Sequence, residues 1–158
     1  MTLDFIGLFI LIAGFVIGLG AVTVIDIHGF LGRKSRYWTE ATTRTHKVTK
    51  PMIWVGITLC LLGGFIFFRN DTSTYVPITL LGIAIVLILN GLFLSFRVSP
   101  YMIQREKEGK DGELLPKSWQ NKIMVSLIIS DLGWWFGLFV LVFYVLYEYP
   151  VILSTILI

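Results

Sequence analysis

Long apolar stretches separated by short polar ones make up this chain, with none of the strict alternation that marks a half-buried strand. Residues 5–25, 51–68, 72–96 and 123–147 carry no charged side chain apart from Asp131 in the last stretch. A helix needs about 20 apolar residues to cross a bilayer, with about 17 to 25 tolerated, so each stretch predicts a transmembrane helix. A membrane β-strand would instead alternate over about 10 residues. The predicted fold is therefore an all-α membrane protein, a four-helix transmembrane bundle forming one domain over residues 1–158, with spans at 5–29, 51–68, 74–97 and 121–147.

Composition supports the pattern, because 56% hydrophobic and 15% charged residues leave too little polar surface for an ordinary soluble domain. The first apolar stretch begins with Asp4 where a signal peptide would carry basic residues, and its run is too long, so it reads as a retained span. Lys and Arg beside the spans set the expected orientation. Arg33, Lys34, Arg36, Arg44, Lys47 and Lys50 fall in the loop at 32–50. Arg97, Arg105, Lys107, Lys110, Lys117 and Lys122 lie in or beside the loop at 98–120, leaving Arg69 alone elsewhere. Both basic loops are expected in the cytoplasm and both termini outside, in a bacterial inner membrane. The net charge of +3 is explained by this topology, and nucleic-acid binding is not expected. Cys60, the single cysteine, cannot form an intrachain disulfide and reads as a small buried residue.

The chain reads as two hairpins of similar build, each a long span, a basic loop and a second span. An offset of 71 residues places Leu19-Gly20 on Asn90-Gly91, and one of 72 places Lys50 on Lys122. Two tandem two-helix repeats of parallel topology would account for this. The outer connection is short, which predicts that spans two and three are antiparallel neighbours. Small residues mark the expected packing faces, since membrane helices associate through close backbone approach. These are Gly14 and Gly18 in span one, Gly56 and Gly63 with Cys60 in span two, and Ser126, Ser130, Gly133 and Gly137 along one face of span four. Packing within the chain is the favoured reading, with a homo-oligomer as the alternative.

The first loop mixes Tyr37, Trp38 and Ala41 with basic residues, which suits partly helical structure along the headgroups. The second, with Glu106 and Lys110 at helical spacing before Asp111-Gly112 and Pro116, reads as an extension of span three ending in a turn. The apolar tail Val151–Ile158 is too short to cross; it suits the interface or a membrane-protein partner.

Polar residues inside the spans carry the candidate chemistry. A charge at mid-bilayer costs about 2.5 to 3.5 kcal/mol on insertion scales, so it marks a functional candidate. Asp131 lies nine residues past Lys122, roughly 13 Å of helix rise into the membrane. Trp134 and Trp135 follow at helical spacing and offer indole donors. Asn90 is the second deep polar residue. Asp26, His28, His46 and Arg97 sit nearer the basic loops, and Lys50 approaches from the same side. Three readings compete: an ion, proton or small-solute site centred on Asp131; a purely structural polar pair fixing helix register; and a haem or metal site using His28 and His46. Asp26 and His28, two apart on a helix, diverge by about 200° and cannot chelate together from one face. There is no activated Ser or Cys arrangement, no HExxH and no CxxC, so an enzyme is the less expected class, and a non-catalytic subunit of a membrane complex stands as an alternative.

The glycine-rich first span, the basic loop after Asp26 and the glycine near the end of span two resemble the small four-span modules of the copper-resistance CopD and HemJ-like group. The likeness covers mainly the first hairpin. It implies a compact four-helix bundle and, in that group, haem or copper handling through histidines within the spans. This chain has Phe5 and Leu8 where the first such histidine would be sought, so no ligand residue is carried over.

Overall fold

The computed structural model describes residues 3–32, 38–70, 75–110 and 113–148. First-loop residues 33–37, the predicted turn at Asp111-Gly112 and the tail Val151–Ile158 lie outside the described residues. Helix α1 is Leu3–Gly32, α2 Trp38–Phe67, α3 Tyr75–Phe93, α4 Ser99–Lys107 and α5 Lys117–Glu148, with a π turn at Leu94–Val98 joining α3 to α4. No strand occurs among the described residues. Four helical stretches, Leu3–His28, Arg44–Phe67, Tyr75–Lys107 and Lys117–Tyr147, are long and apolar enough to cross a membrane. The protein is an all-α four-helix membrane bundle, the architecture that satisfies every backbone donor and acceptor within the segment when lipid offers none.

The helices overrun the apolar stretches at the basic-loop end. Helix α2 begins at Trp38, well before Pro51, so much of the first loop is a polar helical extension of the span. Pro51 removes one backbone donor inside this helix, a loss that membrane helices tolerate. The third span continues through the π turn and α4 to Lys107. It stops in a Schellman motif: Gly109, at φ 68°, donates to the Glu106 carbonyl at 3.1 Å, and Lys110 N–H reaches the Arg105 carbonyl at 2.9 Å. Arg105 is buried behind this turn, donating from Nη2 to the carbonyls of Lys110 and Glu113 at 3.1 and 3.2 Å.

Glycine draws α1 and α2 into backbone contact. A Cβ on Gly14 would lie 2.7 Å from the Cys60 nitrogen, and one on Gly56 would lie 2.7 Å from Gly18 Cα. Gly63 meets the backbone of Leu11 in the same way. This pair is the most extensive in the molecule. Helix α3 packs mainly on α5, where Gly133 admits the Leu87 side chain and Gly137 faces Phe15 and Ile83. Contact between α2 and α3 is slight by comparison, although they are consecutive spans; Trp54 of α2 reaches the π turn beyond α3, its Nε1 3.4 Å from Ser95 Oγ. The main core joins Leu11, Phe15, Val22, Ile57, Leu87, Trp134 and Leu141. A smaller cluster of Val98, Met102, Leu115 and Ile123 packs α4 onto α5 at the basic-loop end, reinforced by Tyr101 stacked on Trp119 at 4.1 Å.

Candidate functional site

Where the four spans approach the basic loops, they enclose a cavity of about 250 Å³. Helix α1 supplies Val22, Ile25 and Asp26 to its wall, and α2 supplies His46, Lys50 and Ile53. The α2 residues fall at intervals of four and three, one face of a helix. Ile123, Leu127 and Ser130 repeat that spacing on α5. The remaining wall comes from Leu94 and Val98 of the π turn, Ser99, Met102 and Ile103 of α4, and Lys47 of α2. The π turn arises where Ser99 N–H bonds back to the Leu94 carbonyl, immediately before Pro100, whose ring nitrogen has no proton to donate.

Two polar atoms at this cavity have no partner. Asp26 Oδ1 and His46 Nε2 are both buried and unbonded. A buried polar atom left unsatisfied costs roughly 1–3 kcal/mol, so each would gain from a ligand bearing the complementary group. Charge gathers around them. Asp131 repels the Asp26 carboxylate when both are ionised, and Lys50 acts on His46 from one turn along α2. At the rim, Lys47 Nζ lies 3.4 Å from Glu106 of α4, an exposed ion pair spanning α2 and α4.

The other polar residues take different positions. Asn90 and Ser126 satisfy each other: Asn90 Nδ2 donates to the Ser126 carbonyl at 2.9 Å, and Ser126 Oγ donates to Asn90 Oδ1 at 2.6 Å. Asp131 is half-buried and stands outside the cavity lining, interacting with Asp26 without sharing its wall. Trp134 is 1% exposed and packs edge-on to Phe15 at 5.8 Å, its Nε1 unpartnered, so it does not donate to Asp131. His28 is exposed, with Nδ1 3.0 Å from the Val24 carbonyl of its own helix. Arg97 is exposed and away from the cavity. The structure thus brings Asp26 and His46 together with Asp131 behind them, and leaves Asn90, His28 and Arg97 apart. Met102 and the Lys47–Glu106 pair went unnoticed in the sequence. The one available signal was the run of His46, Lys50 and Ile53 on a single face of α2.

Among the described residues, no three His, Cys, Asp or Glu side chains gather so as to hold a metal ion. No protein-family model, curated protein or solved structure matches this chain.

Proposed function

We propose that this integral membrane protein handles a small, largely apolar solute carrying a hydrogen-bond donor, held between Asp26 and His46 in the cavity next to the basic loops. The observation that carries this reading is the pair of buried, unpartnered atoms, Asp26 Oδ1 and His46 Nε2, contributed by two helices to one cavity. A partner for a buried carboxyl oxygen that has none recovers roughly 1–3 kcal/mol, enough to select a polar group at Asp26. Imidazole Nε2 serves as donor or acceptor according to tautomer, so His46 suits a second polar atom on the same solute. Val22, Ile25, Ile53 and Leu94 favour an apolar body. The cavity's 250 Å³ falls just under the roughly 300–1,000 Å³ of drug-sized pockets, which restricts the solute to a small one. On the charge argument the cavity faces the cytoplasm.

The test is thermal unfolding of the purified protein in detergent against phenol, indole and benzylamine. At a hundredfold excess over Kd a bound probe adds about 2.7 kcal/mol of stability, a clear rise in Tm. Asp26→Asn and Val22→Phe should abolish that rise. If no probe shifts the wild type, or if the shift survives both substitutions, the reading fails.

Two carboxylates within the membrane-spanning stretches, Asp26 and Asp131, favour a second version, in which the handled species is a proton. In liposomes with an internal pH dye, wild-type protein should then dissipate an imposed gradient faster than Asp26→Asn or Asp131→Asn. Equal rates for all three sink this version.

A further inference from the structure

The opposite half of the bundle holds a second cavity, a crevice of about 540 Å³ between α2 and α3. It exists because those consecutive spans barely touch there, and because α2 presents Gly64 to it, a position at which an added Cβ would meet nothing within 4 Å. Buried Phe15, Leu87 and Trp134 form its floor, and exposed Leu61, Phe65 and Leu81 form its lips. The lips face the position that lipid occupies in a membrane.

Its length matches one leaflet. Along α2 the lining runs from Ile57 to Phe65, about 12 Å at 1.5 Å per residue, and continues into the turn beyond it at Phe68 and Arg69. Along α3 it runs from Pro77 to Leu87, about 15 Å, and half of a hydrocarbon core is also about 15 Å. A slot of that length, lined by apolar side chains, suits one polymethylene chain. At the mouth stands Arg69, the one Lys or Arg outside the two basic loops, with Nη2 3.1 Å from Asp4 Oδ1. A cation beside an anion complements a zwitterionic headgroup, phosphate toward Arg69 and ammonium toward Asp4. An anionic headgroup would satisfy Arg69 but be repelled by Asp4.

We infer that this crevice is a specific phospholipid site, taking one acyl chain of a zwitterionic lipid of the phosphatidylethanolamine type with its headgroup on the Arg69–Asp4 pair. The site is separate from the Asp26–His46 cavity and stands or falls without it.

Full-length protein, stripped of lipid in detergent, is offered an equimolar mixture of phosphatidylethanolamine and phosphatidylglycerol, and bound lipid is counted by native mass spectrometry. One phosphatidylethanolamine per chain is expected. Gly64→Leu, whose Cβ would meet nothing within 4 Å, extends a side chain into the slot and should cut retention about tenfold, the factor set by 1.4 kcal/mol. Gly20→Leu, with equal room for its Cβ but away from the crevice, should retain lipid as the wild type does. Asp4→Asn, which removes the repulsion of an anionic headgroup and leaves Arg69 in place, should erase the preference between the two headgroups while leaving helix content unchanged. Equal retention by Gly64→Leu and wild type overturns the site. So does preferential capture of phosphatidylglycerol, or a dimer that Gly64→Leu alone disperses, which would make a second copy the occupant.

Discussion

Asn90 with Ser126, and Asp26 with His46, are two polar pairs embedded in the same apolar bundle, and they are built on opposite principles. Both polar atoms of the Asn90 side chain are engaged, and both by Ser126, so α3 and α5 are tied in register. Asp26 and His46 each keep a buried atom idle beside a cavity. Hydrogen bonding is the same chemistry in both places; completeness is what separates a fastener from a recognition site.

Substitution should therefore act with opposite sign in the two regions. The largest effect belongs to Asn90→Leu, which strands Ser126 and should cost roughly 1–3 kcal/mol in reversible unfolding. Adding Ser126→Ala should recover much of the loss, since removing both partners is far cheaper than removing one. Next in size, Asp26→Leu and His46→Leu should each raise stability by about 1 kcal/mol by replacing an unsatisfied atom with a methyl group. A destabilisation like that of Asn90→Leu would erase the distinction between the pairs. Lys47→Ala, at the exposed rim, should cost no more than about 0.5–1 kcal/mol, because a solvated ion pair contributes little. The smallest effect concerns pH. Hydrogen bonds from Lys110 at 2.8 Å and from Gln104 at 3.0 Å hold the Glu108 carboxyl below the usual carboxylate range. A depressed carboxyl contributes stability above its unfolded pKa and loses it as pH falls through the lower folded value. Acid titration of stability in Glu108→Gln should thus be slightly flatter at the low-pH end, with the Asp26 and Asn90 regions unaffected.

The spans were legible because absence of charge over bilayer length is a one-dimensional signal. The start of α2 at Trp38 was not, since a polar helical extension beyond the membrane has no hydropathy signature. In the site, rarity pointed to Asp26, His46 and Asp131 alike, but sequence does not give the rotation of one helix against another. That rotation decides that Asp26 borders the cavity while Asp131 stands outside it. The bond between Asn90 and Ser126 joins residues 36 apart in the chain, and local spacing contains no trace of it.

The π turn at Leu94–Val98 adds one residue to the coil just before α4. Each residue of a helix advances it by about 100°, so that single surplus residue sets which face of α4 looks inward. Met102 and Ser99 belong to the cavity wall by phase and not by identity. Removing any one residue from the turn would restore an ordinary helix and swing that face away, although every side chain of α4 remained in place. The wall can thus be rebuilt by changing the count of residues alone.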